Sequence, residues 1–550
     1  SLEGKRALYL LGLIYREKEW HEKSIRSLIQ ALNEYKEIED YIRLELANLY
    51  FDSRHYKQAL RQVNALLENF PNTILYPQAE LLRAETLKNL DQQSRAIELL
   101  NKTIQQISRH KDYVSFKPHL PELILKLADL HQSIQNNKEA YVLYRKLYLE
   151  YPVHEVMEFA DPALERLSSQ TLVVPPPLTL KDHARRIRGL LSGVRYGQAI
   201  KEINYLQLMS GNVPLPARFF FYLARAERGL RDRAKANQAL NKFIDSYPNH
   251  PRVSEARYYI ARNLWNLGED RKSIEIFQRI IRDQPASEWA INAHFLMGRI
   301  YEENKQLALA VKHYRILVNR FKRHEHAQSA AWRLGWILNR KGEYKKAAER
   351  FQKNARLLKN GLYVENNLFW MAKAYEKAGM KEAARSAFSD LYADYPYTFY
   401  GLQAKVRLKE LPAGNLAPLK KSGMEKIPVS LNVGHGNTPL NRGLTAQEKF
   451  HFARAQEMLA MGFSQNAEFE IRQIQRTIRK NLTGVLWVSE MYHRSKTHAG
   501  ALRLLELYRS YKTKKKEKEL PIKFWKYFYP LAYPQSIATY AGQYKVDPYL

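Results

Sequence analysis

Cysteine is absent from all 550 residues, which removes disulfide frameworks, thiolate zinc sites, iron–sulfur clusters and thiol nucleophiles together. The compartment stays open, because a disulfide-free secreted protein and a cytosolic one look alike by this measure. Long apolar runs are missing too: the longest, Ala7 to Tyr15, has nine residues, against the roughly 20 that cross a bilayer. Lys5 and Arg6 ahead of that run suggest a signal peptide, but Arg16-Glu17-Lys18 stand where small cleavage-site residues belong. The segment fits better as a helix of the repeat set out below. Acids are scarce: 56 Asp and Glu against 88 Lys and Arg leave +32, so an anionic partner is expected without its kind being specified. What is present is an ordinary folded composition, 45% hydrophobic and 26% charged with 23 Gly and 23 Pro, long enough for about three to five domains or one repeat array.

Self-similarity settles that choice. Ala224, Ala261, Gly298, Gly335 and Ala372 follow one another at a constant 37 residues. Twelve residues after each stands Ala236, Ser273, Ala310, Ala347 or Ala384, and four further on Leu240, Phe277, Tyr314, Phe351 or Phe388. Eight beyond lie Pro248, Pro285, Lys322, Lys359 and Pro396. Small, small at +12, large at +16 and proline at +24 is the tetratricopeptide pattern of paired helices, lengthened by about three residues over the usual 34. Two antiparallel helices need small residues where they cross, and an aromatic one turn later fills the groove beside the crossing. Proline then stops the second helix, and Gly268, Gly342 and Gly379 ease the reversal between the helices.

The lattice continues with looser spacing at Gly12/Ser24/Leu28, Ala47/Ala59/Val63, Ala84/Ala96/Leu100 and Ala128/Ala140/Tyr144, and in a degenerate copy at Ile187/Ala199/Ile203. Pro175-Pro176-Pro177 reads as a stiff joint between two stacks. The expected fold is all-α: a superhelical or ring-like array of TPR-like hairpins, 1–174 and 175–411, then a Gly/Pro-rich linker at 412–445 and a small helical linker domain at 446–530. That last module repeats the steps at Ala455/Ala467/Ile471. The chain starts inside a helical pattern, so a trimmed or processed start is expected.

Catalytic motifs are lacking: there is no HExxH, Walker loop or nucleophile elbow. Gly434-His435-Gly436 is a loop, not a dinucleotide fingerprint, because it opens no strand-to-helix unit. His324 and His326 flank Glu325, but residues two apart do not share a helix face, so a solvated loop is expected rather than a metal site. No catalytic, cofactor-binding or metal-binding residue is assigned. Charge is concentrated: Lys312 to Lys359 holds fourteen Lys or Arg against Glu325, Glu343 and Glu349. On a concave face these cations would hold a long polyanion; on the outer face they would only be solvated. Arg333, Arg340, Lys345 and Lys346 are the candidate substrate-binding residues. The Lys512 to Lys518 run reads as a solvated helix end.

The last thirty residues carry Phe524, Trp525, Tyr527, Phe528, Tyr529 and Tyr533, too many aromatics for a free tail, so they are expected to pack. Gln535 to Gln543 reads as a short helix, and Asp547-Pro548 as the start of another. Residues 531–550 therefore read as the beginning of a further domain.

Together, the array, the segment YPYTFYGLQA (Tyr395 to Ala404) and FWKYFYPLAYPQSIATYAGQYKVDPYL (Phe524 to Leu550) resemble the soluble lytic murein transglycosylases. The resemblance implies a bacterial periplasmic enzyme that cleaves peptidoglycan glycan strands without water, leaving 1,6-anhydromuramic products, on a ring of helical pairs that seats a goose-lysozyme-like domain. It implies a single catalytic glutamate, within a Glu-Ser pair, placed after Leu550, so this chain alone is expected to be inactive. Peptidoglycan and other cell-wall enzymes are the implied partners, with no cofactor; RNA or DNA binding through the basic stretch, which +32 permits, is not expected, because no base-reading module supports it. The competing expectation is a non-enzymatic tetratricopeptide adaptor that grips a protein or anionic polymer.

Overall fold

The computed structural model describes residues 1–109, 111–170, 177–357, 362–396, 398–411, 444–479, 481–494, 498–511, 520–529 and 534–544. Most of the 412–445 linker, Pro175 and Pro176, the Lys512 to Lys518 run, Tyr533 and Asp547-Pro548 lie outside them. Every described element is helical, and no described residue is in a strand.

The small–small–large lattice is the core. Ala224, Ala236 and Leu240 are buried, as are Ala261, Ser273 and Phe277, and the three later copies likewise. The small residue is required because the +16 ring lies directly on it: a Cβ at Gly335 would stand 2.6 Å from Phe351 Cε1, and one at Gly12 2.5 Å from Leu28 Cδ2. Where the +12 residue is serine, its hydroxyl donates to the carbonyl twelve residues back, Ser24 to Gly12 at 2.7 Å and Ser273 to Ala261 at 2.8 Å. The polar group is thus satisfied inside the crossing.

Proline acts where expected. Helices Tyr56–Asn69, Asn137–Glu150, Arg233–Ser246, Asp270–Asp283 and Lys381–Asp394 each end two residues before Pro71, Pro152, Pro248, Pro285 or Pro396. Leu307–Arg320 ends at the same place before Lys322, so proline reinforces a stop that packing already sets.

The chain forms two compact units. One comprises Ser1–Gly189, Ser430–Tyr511 and Ile522–Leu550; the other comprises Leu190–Val429 and Lys512–Pro521. In the first, four hairpins run from Leu2–Glu17 with His21–Glu34 to Leu120–Ser133 with Asn137–Glu150. The same unit receives Ala446–Ala460 with Ser464–Ile478, and Leu482–Arg494 with His498–Tyr511. The second unit carries the five 37-residue hairpins, from Ala217–Gly229 with Arg233–Ser246 to Leu362–Lys377 with Lys381–Asp394. The segment read as a small linker module therefore shares its core with the first hairpins: Met458 and Ala467 are buried beside Tyr9, Tyr35 and Tyr41.

Candidate functional site

Of the four candidate contact residues, two are engaged by one carboxylate. Arg333 and Arg340 lie seven residues apart on Glu325–Arg340, hence on one face. Arg333 Nη1 donates to Glu302 Oε2 at 2.8 Å, and Arg340 Nη1 lies 3.9 Å from Glu302 Oε1. Tyr314 OH donates to the same Oε2 at 2.9 Å. Glu302 is buried, so this hub joins successive hairpins before it offers anything to a ligand. Lys346 pairs with Glu343 at 2.9 Å on an exposed turn, a contact of little energetic weight. Lys345 is exposed and has no ion pair among the described residues. Sequence reasoning missed Glu302 because acids were counted within the basic stretch, whereas the partner stands one hairpin earlier, 31 residues before Arg333.

The rest of the stretch keeps its charge. Lys312, Arg315, Arg320, Lys322, Arg323, Lys341, Lys353 and Arg356 are exposed without an ion pair among the described residues. Arg350 is half-buried, its Nε has no acceptor, and burial together with Arg315 pulls its guanidinium below the usual arginine range. His324 and His326 serve the helix start: His324 Nδ1 accepts from the His326 N–H at 3.2 Å, and the His326 ring stacks on Phe295 at 4.3 Å. Among the described residues no cluster of three metal-ligating side chains occurs.

A second constellation holds the first unit together. Arg454, only 1% exposed, meets two fully buried carboxylates, Asp40 and Glu470. Its Nε donates to Glu470 Oε1 at 2.9 Å, and its plane lies 4.2 Å from the Phe450 ring. Tyr41 OH donates to Glu470 at 2.9 Å, His451 Nδ1 shares the other oxygen at 2.6 Å, and Thr73 donates to Asp40. Beside it Arg6 grips Glu457 through two bonds of 2.8 and 3.0 Å, and Tyr35 donates to that carboxylate. Burial and the Glu457 charge raise the Tyr35 phenol, which stays protonated as the donor. No signal in the sequence paired Asp40 with Arg454, because the partners are more than four hundred residues apart.

Four of the six terminal aromatics pack. On Ile522–Phe528, the side chains of Phe524, Trp525, Tyr527 and Phe528 are buried, whereas Tyr529 is half exposed. Phe524 meets Tyr508 at 6.1 Å, Tyr527 meets His493 at 5.7 Å, and Glu490 accepts from Lys523 at 2.6 Å and from Tyr527 OH at 2.9 Å. Pro534–Tyr544 is helical as the sequence predicts. In the Tyr395 to Ala404 segment, Thr398 caps Phe399–Glu410, and any Cβ at Gly401 would strike the Tyr395 carbonyl.

Models of the tetratricopeptide repeat match residues 219–250, 255–287 and 367–396, residues 295–357, and residues 5–37. The chain therefore contains tetratricopeptide repeats, in an all-helical fold of that kind. Solved structures that it resembles include yeast Tom70 (13% identity, 98% of this chain and 98% of that one, TM-score 0.27). A human IFIT1 dimer with PPP-AAAA is another (16%, 75% and 91%, TM-score 0.31), as is the APC/C hetero-tetramer Cut9-Hcn1 (13%, 91% and 96%, TM-score 0.26). Among curated proteins none matches.

Proposed function

We propose, for a chain built on tetratricopeptide repeats, that it is a scaffold which holds a partner, an adaptor for a protein or an anionic polymer. The observation that carries this reading is the cation-rich stretch of residues 312–356, most of whose charges have no acid to satisfy them among the described residues. A regular hairpin lattice presents such side chains at fixed intervals, which suits an extended acidic partner. Lys345 is the candidate contact with its charge uncommitted, and Arg333 and Arg340 act through the Glu302 hub that positions them. The test reverses Lys322, Arg323, Lys345 and Lys353 to Glu and measures co-sedimentation with purified peptidoglycan and binding to an acidic protein. Binding of one of these by the parent chain, weakened about tenfold or more by reversal, is expected. Equal binding by parent and variant would reject the reading.

A second reading specifies the partner: the chain is the scaffold of a periplasmic lytic transglycosylase. It is favoured by the residues of the resemblance, since the aromatic run is seated in a helical core and followed by the Pro534–Tyr544 helix. Its support is that likeness, and no described residue is assigned to the chemistry. Translation of the gene beyond Leu550 separates the two readings. A Glu-Ser pair there, and release of 1,6-anhydro products by the longer protein, would favour the transglycosylase; a stop codon or an unrelated domain would leave the adaptor.

A further inference from the structure

A cleft of about 430 Å³ opens in the second unit between the start of Tyr196–Ser210, Ala217–Gly229, the start of Arg233–Ser246, and Val253–Asn266. Four of its lining side chains are arginines: Arg225, Arg228, Arg233 and Arg262. None pairs with an acid among the described residues. Of the acids on the same hairpins, Glu255 is committed to Arg252 at 2.7 Å, Asp283 to Arg257 at 2.9 Å and Asp232 to Lys235 at 3.0 Å, while Glu227 is buried outside the cleft lining, and burial raises its carboxyl above the usual range. The excess is felt locally, since burial and then Arg262 and Arg233 pull the Arg228 guanidinium below the usual arginine range.

The cleft is also shaped. Arg228 lies 5.2 Å from the Tyr259 ring, which steadies it. The Tyr196 ring lies against Gly229 so closely that any Cβ there would strike it. Asn263 is held by donating to Asn237 at 2.8 Å, and Asn266 by donating to the Arg262 carbonyl at 2.7 Å. Arg225, Arg228 and Arg262 are exposed and Arg233 is half-buried, so water screens their repulsion, yet like charges gathered in one cleft raise the local concentration of anions. Each offers a planar fork of donors that matches phosphoryl and carboxylate oxygens. The volume is that of a small-molecule site and exceeds what one such group fills.

We propose that this cleft binds a multivalent oxyanion, a ligand with two or more phosphoryl or carboxylate groups, through Arg225, Arg228, Arg233 and Arg262. The site is distinct from the 312–356 surface and does not depend on the partner assigned there.

Calorimetric titration of the full chain with tripolyphosphate and, separately, citrate tests it. One or both should bind at low salt; tripolyphosphate alone identifies a phosphoryl ligand, and citrate alone a carboxylate one. The Arg228→Gln/Arg262→Gln variant should weaken binding about tenfold or more, whereas Lys57→Gln/Lys138→Gln, at exposed positions outside both the cleft lining and the 312–356 stretch, should leave it unchanged. Absence of binding to both anions, or equal binding by the arginine variant, would overturn the proposal. Should that variant not fold, phenylglyoxal modification of the unaltered chain decides. Slower modification of the four arginines with the anion present supports the site, and unchanged rates reject it.

Discussion

In eleven described hairpins the turn between the two helices places one residue in the left-handed region, seven positions after the lattice residue of its first helix. Glycine fills that position at Gly268, Gly342, Gly379 and Gly462, but Glu19, Arg54, Asp91, Gln135, Val194, Arg231 and Lys305 hold it at φ of 56° to 65°. A side chain there is strained, and a β-branched one most. Val194→Gly should therefore stabilise the chain by about 1 kcal/mol, read as a higher urea midpoint; a lower midpoint would contradict this account. At Gly335 the reverse applies: Gly335→Ala drives a methyl into Phe351 and should cost about 1–3 kcal/mol. Adding Phe351→Leu should recover part of that loss in a double-mutant cycle, and strict additivity would show that the ring is not the obstacle. His294 and His313 meet Nδ1 to Nδ1 at 2.9 Å, and burial lowers each to about 4. The unfolded chain then binds more protons below the ordinary histidine value, so the pair's contribution is present above about pH 6.5 and is lost as pH falls toward 4. Compared with His313→Gln, the parent should lose more stability over that window; parallel curves would refute it.

For helices the decisive feature is how a hairpin finds its neighbour. Within a hairpin the small residues and the +16 ring suffice, and all of these positions were legible from spacing. The contact of Ala446–Ala460 with the first hairpins instead depends on charge burial: Arg454 between Asp40 and Glu470. Removing one member leaves carboxylates stranded without water, so Arg454→Met should cost about 3–5 kcal/mol. It should also lower hydrogen-exchange protection in Ala446–Ala460 more than in Asp270–Asp283. Neutralising the cluster together, with Asp40→Asn and Glu470→Gln added, should restore much of the loss. If the triple variant is no better than the single one, burial of charge is not the cause.

For the molecule as a whole, the first unit is discontinuous in sequence: the chain leaves it after Gly189 and returns at Ser430. Residues 1–189 expressed alone would expose the surface that Met458 and Ala467 cover and leave Asp40 without Arg454. That fragment should be poorly soluble, and co-expression with residues 444–529 should rescue it. A monomeric, cooperatively folding 1–189 fragment would show that the returning helices are dispensable.

By itself, the sequence determined the hairpins: their number along the 37-residue array, their crossing residues and their stops. These depend on neighbours within forty residues, and periodicity reports them. It also foretold the packing of Phe524, Trp525, Tyr527 and Phe528, because so much apolar ring surface does not stay in water. Which cations remain free was decided only in three dimensions. Glu302 neutralises Arg333 from the preceding hairpin, while Arg225, Arg228, Arg233 and Arg262 line one cleft with no acid in its lining, although Glu227 and Asp232 stand near them in sequence, and counting charge along a line detects neither. The Asp40–Arg454–Glu470 cluster is likewise a product of tertiary packing, since its ionic bonds join residues whose separation in the chain carries no periodic mark.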